Sequence, residues 1–198
     1  LILTYFQPIH GARVRSTKLS EPKRKIIMKR IVTGHKDGKS VIIESGSPDH
    51  VITAPGIIWN ELWATFTDTQ MPLPENYKET QQANWTSVFP TLGETRVRIV
   101  SFDPGQQDIE SEESAAAMQR ELLGLIEHME VDDPGMHTTD SVDYGIVLEG
   151  RITLELDDGV TEELEAGDIV IQNGTRHAWR YTEKVTIAWI LIGVSRSD

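Results

Sequence analysis

The chain has 198 residues, a formal charge of -12 and no cysteine. That length suits one domain of ordinary size, and 38% hydrophobic against 25% charged residues supports a packed core rather than global disorder. The lack of cysteine excludes disulfides, thiolate metal sites and a cysteine nucleophile, and no apolar run approaches the roughly 20 residues of a membrane helix.

The charge is unevenly spread. Residues 1–30 carry eight Lys/Arg against the single acid Glu21, so the remainder holds -19. A body that acidic repels phosphate backbones, which argues against a nucleic-acid partner. The basic segment 1–23 reads as a flexible arm, with an Arg-rich, acid-poor targeting peptide as the other reading. The expected location is cytoplasmic.

From residue 24 onward one domain is expected. Ile26, Met28 and Arg30, then Val41 and Ile43, then residues 57–66 read as strands of period two, separated by the turns Asp37-Gly38, Ser45-Gly46-Ser47-Pro48 and Ala54-Pro55-Gly56. A loop is expected from Met71 to about Trp85. Residues 95–102 form a further strand, with Val97, Ile99 and Ser101 on one face. Residues 111–130 break this rhythm: Met118, Leu122, Leu125 and Met129 make one helical stripe, with Ser111 as N-cap and Glu112 and Glu113 in the first turn. Six short strands follow, over 142–148, 151–156, 160–164, 169–171, 175–181 and 185–192. The Asp158-Gly159 and Asn173-Gly174 pairs suit tight turns, because glycine accepts positive φ without steric cost. This pattern indicates an all-β antiparallel sandwich or barrel with one amphipathic helix.

Two stretches carry the chemistry. In an extended run, His137, Thr139, Ser141 and Asp143 share one face and the apolar Val142, Tyr144, Ile146 and Leu148 share the other. Imidazole and carboxylate on a single face suit a polar pocket inside a small barrel. In the second stretch His177 follows Gly174 and shares a face with Thr175 and Trp179. Thr139, Ser141, Thr175 and Trp179 are the expected pocket residues; Trp59, Trp63 and Trp189 either fill the barrel or line its cavity. Arg176 and Arg180, on the opposite face, are expected outside the barrel, and Asp140 is expected in a solvated turn.

Together these stretches resemble the paired motifs of the cupin superfamily. The first appears as His137-x-Thr139, then Asp143 and Gly150; the second as Gly167, Gln172-Asn173-Gly174, His177 and Tyr181. Sixteen residues separate Gly150 from Gly167, which is similar to the spacing in small single-domain cupins of bacteria and of fungal polyketide clusters. The resemblance covers residues 135–181. It implies a jelly-roll barrel, the cupin double-stranded β-helix. Thr139 stands at the family's second histidine, Asp143 at its glutamate and Tyr181 at its asparagine. Carried over position by position, the implied metal ligands and catalytic residues are His137, Asp143 and His177. Two imidazoles and a carboxylate suit one divalent ion, Fe, Mn, Ni or Zn, with open positions for substrate.

The implied function is a metal-dependent enzyme of oxidoreductase or dioxygenase type acting on a small organic molecule. Two other readings stand beside it: a metal-free dehydratase, isomerase or decarboxylase using histidine acid/base chemistry, and a non-catalytic small-molecule binder. Neither a membrane nor a nucleic acid is expected as a partner. Family practice implies a homodimer paired through N-terminal strands.

Overall fold

The structure, a computed structural model, describes residues 28–54, 56–106, 120 and 122–197. The expected arm 1–23 and residues 111–119 of the expected helix lie outside the described residues.

Eleven strands and one α-helix are described, in the order β1 (Arg30–Lys36), β2 (Lys39–Gly46), β3 (His50–Ala54), β4 (Ile57–Thr65), α1 (Tyr77–Asn84), β5 (Thr95–Phe102), β6 (Ser141–Glu149), β7 (Arg151–Glu155), β8 (Thr161–Glu165), β9 (Ile169–Asn173), β10 (Ala178–Arg180) and β11 (Val185–Gly193). A six-stranded sheet runs β3-β4-β5-β11-β6-β9 and a three-stranded sheet runs β10-β7-β8, while among the described residues β1 and β2 pair with each other alone. All named pairings are antiparallel. The fold is all-β, as expected, with the strands of 142–192 where the turn residues place them.

Local chemistry explains the turns. Asp37 and Gly38 both take positive φ, 52° and 73°, which matches the right-handed twist of a two-residue hairpin. Gly150 also has positive φ, 79°. A Cβ there would run into the Lys184 carbonyl, so the β6–β7 turn demands glycine twice over.

Side chains from the inner sheet faces meet in one core: Trp59, Val100, Phe102, Val147, Ile152, Leu164, Tyr181, Val185, Ile187 and Leu191, with Leu122, Leu125 and Met129 closing one end. Burying a side chain of this size contributes roughly 1.5–3 kcal/mol, so these positions dominate the stability.

Two expectations are corrected. Residues 122–130 are not α-helical; they are turns, a short 3₁₀ turn at Ile126–His128 and a bridge at Met129. Leu122, Leu125 and Met129 are nonetheless buried, because a chain turning back on itself can present the same apolar residues that a helix would. The stretch expected as a loop to Trp85 contains α1, whose residues are helix formers without a buried stripe. Gln81 Nε2 tethers it by donating to the Ala64 carbonyl at 2.7 Å. In β5, Val97, Ile99 and Ser101 share one face as expected, half-buried, while Arg96, Arg98, Val100 and Phe102 turn inward.

Candidate functional site

The two motif stretches meet edge to edge. His137 and His177 form an antiparallel bridge and exchange backbone hydrogen bonds of 2.9 and 3.0 Å. This pairing brings the imidazole centroids to 4.2 Å, with 50° between the ring planes. Each ring is steered by its own strand: Nδ1 lies 3.0 Å from the Gly135 carbonyl oxygen in His137 and 2.9 Å from the Thr175 carbonyl oxygen in His177. A carbonyl can only accept, so Nδ1 carries the proton in both rings and Nε2 keeps its lone pair.

Electrostatics favour the same state. Burial lowers the His137 pKa against the pull of the Gly135 carbonyl. Burial, then the neighbouring His137, push His177 down to about 3. Both imidazoles are therefore neutral at pH 7. Asp143, on β6, is 6% exposed; burial raises its pKa against Ser141 and Arg98, and its Oδ1 has no hydrogen-bond partner.

His137, Asp143, His177 and Trp179 line one cavity of about 70 Å³ inside the barrel, together with Trp59, Arg98, Trp189 and the apolar Phe89, Leu125 and Met129. Trp179 packs edge-on against His177 at 5.5 Å and against Trp189 at 5.1 Å. Gly145 makes room for the Trp189 ring, since a Cβ there would strike it.

The other expected pocket residues are placed elsewhere. Thr139 and Ser141 are buried, but Ser141 Oγ donates to Thr139 Oγ1 at 3.0 Å. Thr175 Oγ1 donates to Gln172 Oε1 at 2.5 Å. None of the three lines the cavity, though Ser141 also bonds Asp143, which does. Trp63 lies outside the barrel on another cleft. Tyr181 is a core residue stacked on Phe102 at 5.1 Å. Asp140 pairs with Arg196 at 2.6 Å on the surface. Arg176 does lie on the outer side, where it holds Glu130, Asp133 and Asp157, each at 2.7 Å. It thereby fastens residues 130–133, beside the site, to the barrel.

Arg98 and Glu61 are absent from the sequence reading. Each side chain is 2% exposed, and Arg98 Nε lies 3.1 Å from Glu61 Oε1. Glu61 Oε1 also accepts from Trp59 Nε1 at 2.6 Å. The Arg98 guanidinium lies 4.6 Å from the Trp59 ring centroid and donates to the Val88 carbonyl. Burial lowers the Arg98 pKa and raises that of Glu61, and each partner offsets this for the other. A small signal was present: Glu61 and Arg98 each fall on the inward parity of a strand otherwise rich in large apolar residues.

The donor chemistry suits a divalent ion in part. Two neutral imidazoles with Nδ1–H held by backbone carbonyls present Nε2 as ligand atoms, and Asp143 adds a carboxylate with an unpartnered oxygen to the same cavity. Among the described residues, however, no three His, Asp or Glu side chains converge as a preformed ligand group. The two imidazoles and the carboxylate thus share a cavity without forming a ligand group as they stand.

Residues 126–193 match the family model of the Cupin domain. Over 45 residues, 23% of this chain, the sequence is 53% identical to "Phomopsin biosynthesis cluster protein C'" of Diaporthe leptostromiformis, spanning about a quarter (24%) of that relative's length. It is 25% identical to "Oryzines biosynthesis cluster protein J" of Aspergillus oryzae, covering 80% of this chain and 77% of the relative. It is 26% identical to "Cupin-domain-containing oxidoreductase srdD" of Neurospora crassa, covering 80% and 68%.

Proposed function

We propose, from the Cupin-domain match over residues 126–193 and the likeness to the cluster relatives, that this chain is a cupin and a metal-dependent enzyme of oxidoreductase type acting on a small organic molecule made or modified in a biosynthetic cluster. The observation that carries the reading is the His137–His177 pair: two imidazoles 4.2 Å apart, both neutral, both with Nε2 unprotonated. Suppressed proton affinity makes them poor general bases at pH 7, because a catalytic base works best with a pKa near the working pH. As ligands they have the opposite advantage, since no proton competes with the ion.

His137 and His177 would hold the ion, with Asp143 as the carboxylate that completes a 2-His-1-carboxylate set. When bound, the ion supplies polarisation of a carbonyl or activation of dioxygen. Burial holds the Asp143 carboxyl above its ordinary range, and Ser141 and then Arg98 pull it back part of the way toward the ionised form. Trp179, Trp189, Phe89 and Met129 exclude water around the imidazoles. With two ligands preset rather than three, affinity falls below that of a fully preformed centre.

A second reading rests on Thr139, which stands at a ligand position with its hydroxyl bound to Ser141. In that reading the barrel works without metal, as a dehydratase, isomerase or decarboxylase, or as a binder. The variant His177→Ala separates the two. Under the metal reading it loses both bound ion and turnover while circular dichroism retains the strand signal; retention of full metal content removes His177 from the ligand set.

We also propose pairing of two chains through the N-terminal hairpin. Among the described residues β1 and β2 pair with each other alone, and they expose Ile31 at 51% and Ile42 at 63%. A lone two-stranded sheet is marginal in water, and a second copy would cover those side chains.

A further inference from the structure

The two sheets turn unlike faces outward. The three-stranded sheet presents Arg151 and Glu155 from β7 and Glu163 and Glu165 from β8 on its outer side, with Arg151 and Glu163 paired at 3.9 Å; charged side chains of this kind belong in water. The six-stranded sheet does the opposite. Its register sets Ile58 beside Ser101, Val97 beside Ile190, Ile190 beside Tyr144 and Tyr144 beside Ile171, so one outer face runs from β4 to β9. Among the described residues, no side chain that these strands alternate onto that face is charged. This holds on a chain with 25% charged residues and a net charge of -12.

The face is also open. Ile58, Tyr144, Leu148, Ile169, Ile171 and Ile192 stand 36–62% exposed on it, and a contiguous apolar surface of this kind marks an interaction site. Its lack of charge points to a second copy of the chain, because two acidic bodies repel over the rest of their surfaces and can approach closely only here. The size agrees. Together with Ile31 and Ile42 of the β1–β2 hairpin, these side chains expose about 800 Å², at roughly 200 Å² for a full side chain of this size, which is what each partner gives to a standard interface. The hairpin is the element that fits the face. Ile42 stands opposite Thr33, in line with Ile31, so both isoleucines lie on one side of a two-stranded ribbon. The ribbon carries Arg30, Lys36 and Lys39 against Asp37 and Glu44, a small basic excess that an acidic partner attracts.

We infer that, in the pair of chains proposed above, the β1–β2 hairpin of each chain lies across the outer face of the partner's six-stranded sheet, at the β6–β9 end where exposure is greatest. The inference rests on that pairing and adds the surface that receives the hairpin. Two-fold symmetry makes the contact twice, and the hairpin gains the apolar layer that an isolated two-stranded ribbon lacks.

The test is light scattering of the full chain and three samples: Ile31→Glu/Ile42→Glu, Ile169→Lys/Ile171→Lys, and the two variants mixed in equal amounts. The parent is expected as a dimer and each variant alone as a monomer, with circular dichroism retaining the strand signal. The mixture is expected to return to the dimer mass, because one contact is then wild-type and the other sets glutamates against lysines. If the lysine variant loses its strand signal, Tyr144→Lys takes its place. A monomeric parent removes the pairing itself and the inference with it. A lysine variant that stays dimeric while the glutamate variant is monomeric overturns the inference and leaves the pairing standing. A mixture that stays monomeric overturns it equally, since hairpin would then meet hairpin.

Discussion

Replacing Arg98 by Met probes the polar element that the barrel buries most deeply. Arg98 and Glu61 are each 2% exposed and lie 3.1 Å apart. Removing the guanidinium strands the Glu61 carboxyl without its cation and leaves the Val88 carbonyl without its donor. Breaking a buried pair from one side costs about 3–5 kcal/mol, because the survivor keeps its full desolvation penalty. For a chain of this length that corresponds to a fall in Tm of roughly 6–20 °C. The combined variant Arg98→Met/Glu61→Gln removes the stranded charge as well and should recover about 2 kcal/mol of the loss. Urea unfolding followed by tryptophan fluorescence measures both. A loss below about 1 kcal/mol in Arg98→Met, or no recovery in the double variant, refutes the reasoning, since the pair would then behave like a solvated surface contact.

Gly145→Ala places a Cβ against the Trp189 ring, and overpacking of this kind costs about 1–3 kcal/mol; thermal unfolding should show it, and an unchanged Tm would contradict the packing described. Acid stability follows from Glu130, which the Arg176 hydrogen bonds hold below the ordinary glutamate range. Its contribution is present above about pH 4.3 and lost as pH falls through the lowered folded value. The Arg176→Gln variant should therefore show a shallower loss of stability between pH 4.3 and 2, and an unaltered profile counts against the clamp. Light scattering at micromolar concentration should give the mass of a dimer, reverting to a monomer in Ile31→Glu/Ile42→Glu; a monomeric parent chain contradicts pairing through β1–β2.

The C-terminal strands were legible because their turns are written in Asp-Gly and Asn-Gly pairs and their faces alternate cleanly. The same alternation placed His137, Asp143, His177 and Trp179 around one cavity. It left the inward face of β5 unread: Val97, Ile99 and Ser101 do share one face, and the chain turns Arg96 and Arg98 to the other, inward one. Those guanidiniums are tolerated because aromatic rings and specific acceptors surround them: Phe66 and Trp85 with Glu94 for Arg96, and Trp59, Glu61 and the Val88 carbonyl for Arg98. Neighbours contributed from distant strands leave no trace in local spacing. The helix α1 escaped notice for the converse reason, since it buries no side chain and carries no apolar period. Thr139 and Ser141 shared the right face, yet they stand one layer behind the cavity wall, where Ser141 bonds Thr139 and the lining residue Asp143.

Elemental analysis of the full chain, purified without chelator or a metal-affinity tag and then supplied anaerobically with Fe(II), tests the histidine pair as a metal centre most directly. About one divalent ion per chain, absent from both His137→Ala and His177→Ala, is the predicted result. No ion retained by the parent chain, or equal retention by the two variants, would contradict it.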